Sequence, residues 1–178
     1  MKKLAVIFPG AGYGLDCPLL YYADFLFETK GYERVHMKYL DILSRKDILL
    51  EEKIKMLREY TWNQVKDIDF AEYQEVIFLS KSIGAIEAGI LSEKLGISIK
   101  HIFLTPVGDA ATYLKEDSVV VIGTEDKGYV LYKNLCEEQG IKSLYIGGAN
   151  HSLEILNSPY ESISELKNVM KFIEATLG

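Results

Sequence analysis

Val76-Ile77-Phe78-Leu79-Ser80-Lys81-Ser82-Ile83-Gly84 is the stretch from which the rest of the chain can be read. A short apolar run meets Ser-x-Ser-x-Gly, and a small-residue helical pattern follows at once in Ala85, Ile86, Ala88, Gly89, Ile90 and Leu91. A serine on a sharp strand-to-helix turn holds its hydroxyl above the sheet, and the crowded turn needs small residues two before and two after it. Ser80 and Gly84 supply them. The pattern is the elbow Gly-x-Ser-x-Gly with serine in place of its first glycine, which makes Ser82 a candidate nucleophile. A hydroxyl is a weak nucleophile, so that role needs a base, an orienting acid and oxyanion donors elsewhere. Taken alone, Ser82 also reads as the N-cap of the following helix.

Outward from this stretch, short apolar runs alternate with helical patterns. The expected strands are Leu4–Phe8, Arg34–Tyr39, Val76–Leu79, His101–Leu104, Val119–Ile122 and Ser143–Ile146. They are rich in Val, Ile, Leu and Phe and bounded by turn residues, as parallel strands buried on both faces should be. The expected helices are Pro18–Lys30, Ser44–Lys66, Ile83–Leu95, a short turn over Asp109–Leu114, Gly128–Glu138 and Tyr160–Leu177. Gly31, Gly96 and Gly140 follow three of them as helix-stop glycines. Such alternation implies a single α/β domain over residues 1–178, a three-layer α/β/α sandwich around a mostly parallel sheet of about six strands. Ligands of such sheets bind beyond the carboxyl ends of the strands. The loops of interest are therefore Pro9–Asp16, Ser80–Gly84, Thr105–Asp109, Gly123–Lys127 and Gly147–Ser152.

Two of these loops carry partners for Ser82. Gly123-Thr124-Glu125-Asp126-Lys127 follows the fifth strand, and Gly147-Gly148-Ala149-Asn150-His151-Ser152 follows the sixth. A carboxylate and a histidine thus stand after the serine in the chain order Ser, Asp, His. Either Asp126 or Glu125 could be the acid. Of the other histidines, His36 reads as a strand side chain on the sheet surface, and His101 as opening a strand at the far end of the sheet.

In these segments the chain resembles a small α/β-hydrolase, and the resemblance spans nearly all of it. Gly123-Thr124-x-Asp126 is similar to that family's acid loop, and the segment before the last helix to its histidine loop. Pro9-Gly10-Ala11-Gly12 with Lys81-Ser82-x-Gly84 is similar to the short, dienelactone-hydrolase-like or Tex30/KANL3-like members. The resemblance implies a triad of Ser82, His151 and Asp126, with oxyanion donors in the backbone N–H groups of Ile83 and Ala11, or Gly12 in place of Ala11. It also implies no cofactor. The connection Thr105–Ser118 is too short for an inserted cap domain, so the site should be open. An open triad suits small ester or thioester substrates.

Two rival readings remain. The altered elbow suits a binding protein that keeps hydrolase architecture without catalysis. Gly10-Ala11-Gly12-Tyr13-Gly14 suits a nucleotide-binding, flavodoxin- or Rossmann-like domain, although Leu15 stands where Gly-x-Gly-x-x-Gly needs its third glycine. Tyr21, Tyr22, Tyr60 and Trp62 fit core or pocket equally and are not assigned.

Composition narrows the classes. The chain has 178 residues, 48% apolar and 26% charged, with a net charge of −6. The acidic balance and the lack of a Lys/Arg cluster argue against nucleic-acid or membrane-surface partners. Cys17 and Cys136 form no Cys-x-x-Cys, so neither a metal site nor a disulfide framework is expected. Met1-Lys2-Lys3 before Leu4–Phe8 leads into an apolar run too short for a signal peptide, and the cytoplasm is the expected compartment. Oligomeric state is not legible.

Overall fold

The computed structural model describes residues 2–177. Six strands, all parallel, form one sheet: β1 (Lys2–Phe8), β2 (Glu33–His36), β3 (Tyr73–Lys81), β4 (Lys100–Leu104), β5 (Val119–Gly123) and β6 (Lys142–Ile146), in the order β2-β1-β3-β4-β5-β6. Parallel neighbours need crossovers, and α1 (Pro18–Thr29), α2 (Leu40–Ser44), α3 (Leu50–Asn63), α4 (Gly84–Leu95) and α5 (Tyr129–Gln139) lie in them, while α6 (Pro159–Glu174) follows the last strand. The expected three-layer sandwich is what the chain forms.

Strand alternation sorts the core into two faces. Ile77 and Leu79 of β3, with Ile102 and Leu104 of β4, pack towards Leu20 and Phe27 of α1 and Val169 and Ile173 of α6. Val76 and Phe78, one residue out of step, pack towards Leu57 of α3 and Ala88 and Leu91 of α4. Phe103, Val120 and Ile122 extend that second face under Tyr132 and Cys136 of α5. With both faces covered, the strands need apolar side chains throughout, hence runs in place of alternation.

Two expected boundaries move. Ser44–Lys66 is not one helix: α2 starts earlier, at Leu40, and the chain leaves the helical path at Arg45, which is extended at φ −64° and ψ 127°. Arg45 ion-pairs with Asp47 across this break, and the helix resumes at Leu50. The second strand, expected to reach Tyr39, ends at His36, although the Met37 N–H still donates to the Ile7 carbonyl at 2.9 Å. Tyr39 turns inward, where its hydroxyl donates to the Pro9 carbonyl at 2.7 Å. The connection from β4 to β5 holds only a 3-10 turn, Gly108–Tyr113, in accord with the absence of a cap. Among the described residues, no helix is long and apolar enough to cross a membrane.

His36 lies at the end of β2, half-exposed, 2.6 Å from Asp24. His101 is the second residue of β4, fully buried, stacked on Phe103 and edge-on to Phe78. Neither ring nitrogen has a hydrogen-bond partner among the described residues, and burial pulls its pKa down from 6.5 to about 4. The unfolded chain therefore binds a proton that the folded chain refuses as pH falls from about 6.5 to about 4, and stability falls with it. His101→Phe is expected to keep the ring stack and remove this acid-side loss, raising stability at pH 4 by up to about 3 kcal/mol. Urea denaturation of both chains at pH 4 and pH 7 measures it, and an equal gain at both pH values would rule out His101 protonation as the source of the acid-side loss.

Candidate functional site

The strand order turns back at β1, since the chain runs outward to β2 and returns on the other side of β1 as β3. Doubly wound nucleotide-binding folds share this switch point, so topology alone does not distinguish the chemistry. The loops at the carboxyl ends do.

At the end of β3, Ser82 takes the left-handed conformation, φ 56°, uncommon for a residue with a Cβ and typical of strained functional turns. Its N–H donates to the Leu104 carbonyl at 3.0 Å, holding the turn against β4. Gly84 shows why the pattern needs glycine two residues on. A Cβ there would lie 2.7 Å from the carbonyl oxygens of Phe8 and Pro9. The helix thus starts pressed against the end of β1, and Ser82 is not a capping residue: Ile83 holds the N-cap position of α4, with no side-chain cap bond.

Ser80, which stands in place of the first elbow glycine, points to the opposite face from Lys81. In the ladder it is flanked by Phe8 and Phe103. It is fully buried, and its Oγ has no hydrogen-bond partner among the described residues.

His151 reaches the elbow from the loop after β6. Its Nε2 lies 2.8 Å from Ser82 Oγ, and its Nδ1 lies 2.6 Å from Asp126 Oδ2. Asp126 is buried, its side chain 3% exposed, and its Oδ1 accepts the Gly128 N–H at 2.7 Å. Glu125 is exposed beside it, so of the two possible acids Asp126 is the one brought to the histidine. Gly123 makes this meeting possible: a Cβ there would fall 2.0 Å from the Ala149 carbonyl oxygen. The two loops are then stitched by Glu125 N–H to the Ala149 carbonyl at 3.0 Å and Gly148 N–H to Thr124 Oγ1 at 2.8 Å.

The histidine loop is also closed on itself. Asn150 Oδ1 accepts the N–H groups of Ser152 at 2.8 Å and Glu154 at 3.1 Å, Ala149 bridges to Ile155, and Leu153 adopts φ 60°. A cavity of about 410 Å³ lies on the side of this loop bounded by Tyr13, Leu19, Leu153, Ile155 and Leu166, and neither Ser82 nor His151 lines it.

The Gly10–Gly14 turn closes through reciprocal backbone bonds between Gly10 and Tyr13, both 3.1 Å. It does not open directly into a helix, as a phosphate-cradling loop would require, since α1 begins only at Pro18. The N–H groups of Ala11 and Ile83 donate to no acceptor among the described residues. Two residues beyond those expected join the site. Lys81 Nζ donates to the His151 carbonyl at 2.8 Å, and Thr105 Oγ1 donates to the same oxygen at 2.9 Å. Lys81 is visible in the sequence as a charge continuing the Ile77, Leu79 alternation onto a core face; Thr105 carries no such signal.

No protein-family model and no curated protein matches the sequence. Solved structures do match its shape. Est1E from Butyrivibrio proteoclasticus superposes with a TM-score of 0.68 at 11% identity, covering 98% of this chain and 88% of that one. Dienelactone hydrolase from Anabaena variabilis gives 0.67 at 14%, covering 99% and 88%. A candidate hydrolase of the alpha/beta superfamily from Xanthomonas campestris gives 0.65 at 12%, covering 98% and 97%. This is the α/β-hydrolase fold. Within the α/β-hydrolase frame, Ser80 is the position that departs from the elbow glycine, and its hydroxyl is buried without a partner among the described residues. An unsatisfied buried hydroxyl costs roughly 1–3 kcal/mol. Ser80→Ala is expected to raise the unfolding free energy by about 1 kcal/mol while leaving the elbow in place. Guanidinium denaturation reads the change; a loss of stability would mean that the hydroxyl has a partner.

Proposed function

We propose that the chain is a serine hydrolase that cleaves small ester or thioester substrates through an acyl-enzyme on Ser82. The observation that carries this reading is the continuous hydrogen-bonded line from Ser82 through His151 to Asp126, with Ser82 half-buried and the His151 side chain 49% exposed at an uncapped surface.

His151 Nε2 takes the Ser82 proton as Oγ attacks the substrate carbonyl carbon, and the carbonyl electrons move onto oxygen. The N–H groups of Ala11 and Ile83 receive that oxyanion, with the N-terminus of α4 adding its favourable dipole. The intermediate collapses, the carbon–oxygen or carbon–sulfur bond breaks, and Nε2 returns the proton to the leaving alcohol or thiol. Water then repeats the sequence on the acyl-serine and frees the acid. Asp126 holds the Nδ1–H tautomer and stabilises the imidazolium. Its burial and its bond from Gly128 keep the carboxylate fixed for that task.

Substrate size follows from what surrounds the nucleophile. The β4–β5 connection carries no lid, and the large cavity is lined by neither Ser82 nor His151. Short acyl groups that meet the open surface fit this layout. A hydrolase-shaped binding protein would be favoured by a serine out of the histidine's reach, but 2.8 Å is within the range for proton transfer.

A fluorophosphonate probe tests the proposal. Wild-type protein is expected to gain the phosphonyl mass on Ser82 and to hydrolyse p-nitrophenyl acetate, whereas Ser82→Ala does neither. Asp126→Asn is expected to lower kcat on the order of 10⁴-fold by favouring the wrong imidazole tautomer. Intact wild-type protein with no adduct after long exposure would overturn the reading.

A further inference from the structure

Lys81 stands where the fold asks for an aliphatic residue. Ile77 and Leu79 precede it on the α1/α6 face of β3, and its ladder partner is Leu104 of the apolar core. The residue is 1% exposed. Its ammonium gives up hydration for a bond to the His151 carbonyl at 2.8 Å and a place 5.1 Å from the centre of the Tyr13 ring. The same carbonyl accepts from Thr105, which sits at φ 43°, an outlier for a β-branched residue. The titratable groups around it are Asp126 from the β5–α5 loop, Cys17 and Tyr13 from the β1–α1 loop, and His151. Desolvation pulls the Lys81 pKa down to about 8, against the opposing pull of Asp126 and then Cys17. A buried cation with one neutral acceptor is a net cost to folding, and a strained threonine beside it adds another. Both converge on one atom, the backbone oxygen of His151.

We infer that Lys81, with Thr105, is a positioning residue that pins the His151 backbone so that the imidazole stays within reach of Ser82. The inference rests on the hydrolase reading for its kinetic consequences. Lys81 does not contact substrate; it acts through the histidine. Charge-assisted bonds are roughly twice as strong as neutral ones, so the pin weakens as Lys81 loses its proton.

The test compares wild-type protein with Lys81→Met and Lys81→Gln on both sides of pH 8. Wild-type kcat is expected to fall above about pH 8. Lys81→Met should lose up to about 100-fold in kcat with KM unchanged and show no alkaline limb. It should also melt several degrees higher than wild type at neutral pH. The sign follows from a folded-state pKa below the ordinary 10.5: the unfolded chain holds the proton between about pH 8 and 10.5, so wild-type stability rises with pH there and the variant's advantage shrinks. Lys81→Gln keeps a neutral donor and should fall between the two in kcat.

A readout independent of turnover is the downfield proton NMR signal of the His151 Nδ1–H bonded to Asp126, expected sharp in wild type and broadened or lost in Lys81→Met. Wild-type kcat and an intact alkaline limb in Lys81→Met would overturn the inference. Should wild-type protein take no fluorophosphonate, the hydrolase reading falls, and the NMR signal alone decides: its loss in Lys81→Met upholds the positioning role, and its persistence overturns it. Should Lys81→Met fail to fold, the wild-type pH profile and Lys81→Gln decide in the same way.

Discussion

Everything at the carboxyl edge of the sheet depends on how closely β3 ends against its two neighbours. Gly84 lies against the last carbonyls of β1, and Ser82 N–H is held by Leu104 at the end of β4. Between these fixed points the chain reverses from strand to helix within two residues, which only the left-handed conformation of Ser82 permits. The strain is sustained because the central strands are buried on both faces and do not yield. A rigid sheet thus holds one serine hydroxyl at its rim.

The second constraint lies further along the sheet, where β5 and β6 hand over to their loops. The Gly123 backbone passes so near the Ala149 carbonyl that the acid loop and the histidine loop behave as one stitched unit. The line from Asp126 to His151 is built within that unit, and the unit meets the elbow through Nε2 and Ser82, and through the His151 carbonyl with Lys81 and Thr105. The two halves of the site are therefore joined through both the side chain and the backbone of one residue.

Much of this was legible in the residues themselves. Strands buried on both faces announce themselves as runs such as Val76–Leu79, and the chain order of serine, acid and histidine survives any uncertainty in boundaries. What was not legible depends on depth and neighbours. Asp126 and Glu125 are chemically alike, and only the path of the loop buries one and exposes the other. The break at 45–49 interrupts a helical pattern whose apolar spacing continues across it. Lys81 has the look of the variable residue of a motif; its meaning appears once Ile77 and Leu79 show which face it occupies. Thr105 needed the structure entirely, because the carbonyl it serves lies 46 positions away.

The self-closed histidine loop has a kinetic consequence. Asn150 satisfies two N–H groups within its own turn, and the Ala149–Ile155 bridge shuts the loop behind it. The imidazole is presented by a miniature scaffold already assembled before any ligand arrives. Ligand encounter then needs no ordering of this loop. Under the proposed function, a substrate meets an imidazole whose orientation is already set, so the loop itself adds no ordering cost to binding.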